Sequence, residues 1–201
     1  MLRKVFDMEG PIMSGLSATA DLLVLNLITL FCCLPVLTAG AAFTALFDQC
    51  IRLARGEEGT VAKAFFQSFA DNFKKSTLLW LLVLLALLLL AADYLAALAY
   101  VPAFRVGIIA IGLIVLAVTL YAFALLARYE NTLLKTLKNA ASLAVAFFPQ
   151  TLAMLFFTVA LWVAGIRFFQ IGAPVLLMFG LSLPCYVCSI LLRGIFDKIE
   201  K

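Results

Sequence analysis

Charged residues are missing from long stretches of this chain, and the lengths of those stretches predict its elements. From Leu22 to Phe47 no charge occurs for 26 residues, enough for a helix to cross a hydrocarbon layer of about 30 Å. Four more runs follow: Ser76–Ala92 is uncharged for 17 residues, Val106–Ala127 for 22, Asn139–Ile166 for 28 and Phe168–Leu192 for 25. Each predicts a membrane-spanning helix, because a helix pairs its own backbone groups in lipid whereas an open sheet does not. Short connections around Pro102 and around Gly165–Gly172 turn successive spans into antiparallel hairpins.

The first run is interrupted. Pro35, Thr38 and Gly40 stand in its middle; proline removes a helix donor and clashes with the carbonyl one turn back, and glycine nearby favours a turn. Either one kinked helix crosses, or a helix over Asp21–Leu37 goes out and a shorter one over Ala39–Ile51 comes back. Basic residues favour the pair. With the 52–75 loop inside, 11 of them (Arg52 to Lys75, Arg128 to Lys138, Arg193 to Lys201) lie on the cytoplasmic side, against Arg105 and Arg167 outside. Arg3 and Lys4 then also prefer the inside, which requires an even number of crossings before Arg52. The expectation is an all-α polytopic membrane bundle of five to six membrane helices, its first unit broken by Pro and Gly, with both termini cytoplasmic.

Between the spans the pattern changes to a helical period. Val61, Ala62, Phe65, Phe66, Phe69 and Phe73 fall within an arc of about 140°, with Lys63, Asp71 and Lys74 opposite. This predicts an amphipathic helix lying in the membrane interface. A second such face carries Tyr129, Leu133, Leu137, Ala140 and Ala144. Both suit lipid contact or a protein partner, and Phe65, Phe66, Phe69 and Phe73 are the candidate docking residues.

Composition narrows the class. The 201 residues are 66% hydrophobic and 13% charged, with mean hydropathy +1.15; a soluble domain carries about a quarter charged residues. We therefore read residues 1–201 as a single integral membrane domain whose first partner is the lipid bilayer. The first apolar run begins only at Leu22, after mixed charges, so a cleaved signal peptide is not expected. There is no histidine, which removes the commonest neutral-pH base and metal ligand. The five cysteines, including Cys185-Tyr-Val-Cys188, lie in or beside apolar runs and read as small buried hydrophobes rather than metal ligands. No phosphate-binding loop, nucleophile elbow or aromatic-basic platform is present, so neither enzyme activity nor a cofactor, metal or nucleic-acid site is expected. Asp21, Asn26 and Asp48 are the candidate intramembrane polar site, since polar groups within spans are functional suspects. Asn26 is the deepest of them and is expected to bond a neighbouring helix.

The residues Asn26-Leu27, the run Cys32-Cys33-Leu34-Pro35-Val36-Leu37-Thr38-Ala39-Gly40-Ala41-Ala42, the spaced Phe65-Phe66, Phe69 and Asn72-Phe73-Lys74, and Arg128–Ala140 resemble the YesL-like family of bacterial membrane proteins. That family is built on a domain of unknown function and is associated with carbohydrate uptake by ABC-type importers. The resemblance implies an accessory subunit beside the permeases, in the bacterial cytoplasmic membrane, and supplies no catalytic or binding residues. The permease loop that contacts the ATPase is not seen in this chain, which lacks its Glu-Ala-Ala…Gly pattern. The alternative is an autonomous small-solute transporter or channel using Asp21, Asn26 and Asp48.

Overall fold

The computed structural model describes residues 11–57, 59–99 and 104–199. Among them it contains helices and no strand: α1 Pro11–Cys33, α2 Ala39–Arg55, α3 Val61–Ala99, α4 Arg105–Arg128, α5 Leu133–Ala146, α6 Phe148–Arg167, α7 Phe169–Phe179 and α8 Ser182–Ile199, with a 3-10 turn over Val36–Thr38. Among the described residues, five helical stretches are long and apolar enough to cross a membrane, Gly15–Cys33, Val36–Arg55, Val61–Ala97, Arg105–Arg128 and Phe148–Arg167. The expected all-α polytopic bundle is what the chain forms. Arg3 and Lys4 lie outside the described residues.

The first unit doubles back on itself. Asn26 and Cys50 stand at equal sequence distance on either side of Thr38, yet both reach Ser182: its amide lies 3.1 Å from Asn26 Oδ1 and its carbonyl 3.9 Å from Cys50 Sγ. A straight helix would hold those two positions about 36 Å apart, and a kink alone would not bring both onto one residue. Pro35 starts the turn because it has no amide to continue α1, and Thr38 closes it. The Thr38 hydroxyl lies 2.5 Å from the Cys32 carbonyl at the end of the broken helix and 2.8 Å from that of Pro35, which also accepts the Thr38 amide at 3.0 Å.

Helix α2 packs against α1, α3, α4 and α8 and is the most enclosed of the five candidate spans. Its contact with α3 is antiparallel: Gly40 meets Ser76 and Trp80, and the Thr44 and Ser76 hydroxyls share a 2.7 Å hydrogen bond. The approach is close because Gly40, Ala41, Ala42 and Ala45 are small and fully enclosed. A Cβ on Gly40 would run into the Ser76 carbonyl oxygen and come within 2.5 Å of Trp80 Cβ.

Three expectations need correction. The phenylalanine stretch is not a separate interfacial helix; it is the first part of α3, whose 39 residues extend about 58 Å. No proline or glycine occurs between Val61 and Ala99, so nothing stops the helix where the charged part meets the apolar part. The Asn139–Ile166 run is divided at Phe147 (φ −110°, ψ 45°), with Pro149 in the first turn of α6. There the Thr151 hydroxyl lies 2.9 Å from the Ala144 carbonyl and 3.1 Å from that of Phe147, and 3.0 Å from Tyr121 Oη. The Phe168–Leu192 run is likewise split between α7 and α8, because Pro184 cannot donate to the Gly180 carbonyl four residues back.

Two outcomes follow. Gly40→Ala should lower the melting temperature in detergent, since overpacking costs about 1–3 kcal/mol against a helix-propensity gain of about 0.5–1 kcal/mol. Gly15→Ala, with nothing within 4 Å of the added carbon, should not. If α7 and α8 together form one broken pass beside the five candidate spans, the number of crossings is even. Single cysteines placed at Ser14 and Lys198 in a cysteine-free chain should then react with an impermeant thiol reagent from the same side; reaction from opposite sides would rule out an even number of crossings.

Candidate functional site

Asn26 is fully buried on α1 and spans the α7–α8 break. Its Oδ1 accepts the amides of Leu181 (2.8 Å) and Ser182 (3.1 Å), and its Nδ2 donates to the Leu177 carbonyl at 2.8 Å. One side chain thereby satisfies both the C-terminal end of α7 and the first amides of α8. The expected bond to a neighbouring helix is present, and its partner is backbone.

Asp48 belongs to a different place. Its Oδ1 accepts Arg52 Nε at 3.3 Å and its Oδ2 accepts Gln49 Nε2 at 3.0 Å. It lines a polar cleft of about 390 Å³ with Ser68, Asp71 and Lys75 of α3 and the segment Arg128–Glu130 at the end of α4. The Arg128 guanidinium lies 5.2 Å from the Phe196 ring centre and 5.7 Å from that of Tyr129. Asp48 and Cys50 are two residues apart, so about 200° of helix rotation separates them: Cys50 faces α8 near Asn26, while Asp48 faces the cleft. Asp21 is half-buried on α1 and joins neither. The structure therefore does not assemble Asp21, Asn26 and Asp48 into one intramembrane site.

The phenylalanine stripe divides along its length. Phe65 is fully buried and stacks on Phe69, with ring centres 6.4 Å apart, and Phe69 is half-buried. Phe66 is 52% exposed and Phe73 38%. Of the four candidate docking residues, Phe65 and Phe69 pack into the chain's own core, because α2 covers that edge of the arc. Phe66 and Phe73, two turns apart on the other edge, remain accessible.

An apolar cavity of about 290 Å³ lies between α2, α3, α4, α6 and α8. Phe43, Trp80 and Phe123 form its aromatic wall, with ring centres 5.7–6.5 Å apart, and Trp80 Nε1 donates to the Val36 carbonyl at 2.8 Å. The sequence offered one signal for it, a tryptophan within a leucine run. The cysteines remain thiols: Cys50 meets Cys185 across α2 and α8, and Cys188 lies 3.8 Å from the Thr158 hydroxyl. Among the described residues, no group of three or more histidine, cysteine or acidic side chains is placed to hold a metal ion.

Residues 22–94 match the family described as a protein of unknown function, DUF624. The match runs from the middle of α1 through most of α3, taking in the doubled-back unit and the phenylalanine stripe. No curated protein and no solved structure matches the chain.

Asn26→Leu should destabilise the bundle by about 1–3 kcal/mol, because the Leu181 and Ser182 amides lose their acceptor in an apolar setting. Hydrogen exchange should accelerate at residues 177–182 more than elsewhere. Uniform exchange would show that the break is satisfied by other means.

Proposed function

We propose that this protein is a non-enzymatic accessory subunit of the bacterial cytoplasmic membrane, binding permease subunits of an ABC-type carbohydrate importer. The observation that carries the docking role is the exposure of Phe66 and Phe73 on a helix about 28 Å longer than a hydrocarbon layer. Ala70 lies between them on the same edge and is also exposed, leaving a shallow apolar ridge. Lys63 and Lys74 flank it, both exposed, a pattern of aromatic anchors with a polar rim. The choice of importer rests on the resemblance to the YesL-like family, with which the DUF624 match is consistent. The excess of basic residues at one end of the spans supports placing that end, with both termini, in the cytoplasm.

Solute transport by the chain alone has less support. Thr44 and Ser76 bond each other, Tyr121 bonds Thr151, and Asn26 is taken by the α7–α8 backbone. The two hydroxyls lining the cavity, Thr119 and Thr158, donate to carbonyls of their own helices. A solute path would need such groups turned toward a common space.

The test is co-purification of the tagged protein in mild detergent. Phe66→Ser combined with Phe73→Ser should reduce retained permease by roughly tenfold or more while leaving the melting temperature near that of the parent. Phe65→Ser should instead lower that temperature. Undiminished permease in the double variant would remove the docking role.

A further inference from the structure

The polar cleft and the apolar cavity occupy neighbouring registers of the same three helices. On α2, Phe47 lines the cavity and Asp48 the cleft; on α3, Trp80 lines the cavity and Lys75 the cleft; on α4, Phe123 lines the cavity and Leu126 the cleft. The offsets are five residues or fewer, so at about 1.5 Å per residue the two spaces lie within roughly 8 Å of each other along the helices. Their chemistry is opposite. The cleft is lined by three cations, Arg52, Lys75 and Arg128, and three carboxylates, Asp48, Asp71 and Glu130, whereas the cavity walls are almost wholly apolar.

One ligand that meets both is an amphiphile with charges of both signs at its head and hydrocarbon behind. The bilayer supplies it. Leu87 lines the cavity and is 45% exposed, so the cavity continues into the lipid-facing surface of α3. Arg52 and Arg128 place the cleft at the ends of two candidate spans, Val36–Arg55 and Arg105–Arg128, where headgroups reside. The mixture of charges selects among headgroups. Lys75 and Arg128 suit a phosphate, and Asp71 and Glu130 suit a primary ammonium; a purely anionic head would bring those carboxylates no positive charge of its own.

We propose that the chain holds one phosphatidylethanolamine-type phospholipid, its head in the α2–α3–α4 cleft and an acyl chain in the aromatic cavity. The site is separate from the Phe66–Phe73 ridge, so it stands or falls independently of the docking role.

Native mass spectrometry of the purified protein tests this, with equimolar phosphatidylethanolamine, phosphatidylglycerol and phosphatidylcholine in the detergent. One phosphatidylethanolamine per chain should be retained, at least about tenfold over phosphatidylglycerol. Asp71→Lys combined with Glu130→Lys should invert that preference, a change of selectivity that misfolding does not produce. Leu116→Trp, which fills the cavity away from the cleft, should reduce retention of every phospholipid. Equal retention of the three lipids by the parent chain would overturn the proposal. So would a lipid-free dimer, or displacement of the lipid by glycerophosphoethanolamine at equal concentration, since that compound has the head without the chains.

Discussion

Inside a helical membrane bundle, backbone groups have no water to turn to, so each place where a helix stops must be repaired from within the protein. Among the described residues, three of the long uncharged runs are interrupted by a helix stop, and a polar side chain serves each of those three. Thr38 covers the Cys32 carbonyl just ahead of Pro35. Thr151, held by Tyr121, bridges the break between α5 and α6 through the Ala144 carbonyl. Asn26 serves the break between α7 and α8 from the opposite end of the sequence. Most of the buried polar atoms named above are thereby committed to holding the architecture, which leaves few for binding or moving a solute.

With the breaks secured, α2 can sit at the centre. A helix surrounded by four others must present side chains small enough to let them close in, and the Gly40–Ala45 face does so against α3. Charged groups are then pushed to the far end of α2, where Asp48 and Arg52 meet the N-terminal part of α3 and the end of α4. The polar cleft is thus a consequence of the core's composition: what cannot enter the small-residue seam collects beside it.

The spans were legible because the absence of charge over a fixed length is a direct response to the thickness of lipid. The α1–α2 turn was legible for a similar reason, since Pro35 acts on its own backbone and needs no partner to do so. The divisions at Phe147 and Gly180 were harder to read. Pro149 and Pro184 stand in plain view, but hydropathy runs unbroken through them, and a break costs nothing in apolar content. The fate of the phenylalanine stripe depended on tertiary information: periodicity places six residues on one arc without saying which edge the chain will cover itself. The cavity was hidden more deeply. Its walls come from five helices, and nothing local distinguishes a leucine or phenylalanine that faces a void from one that faces a neighbour.

Asn26 and its partners are separated by 151 to 156 positions in sequence. A ribosome delivers α1 long before it delivers Leu177 or Ser182, so through most of synthesis the amide of Asn26 faces a nascent bundle that lacks its destination. The first helix packs on α2 and α3, which follow it closely in sequence, while its Asn26 bonds wait for the last helices. Assembly therefore ends where it began, with the C-terminal helices closing over the N-terminal one, and a chain released short of α8 would retain its hydrophobic spans while lacking the contact that ties its two ends into one body.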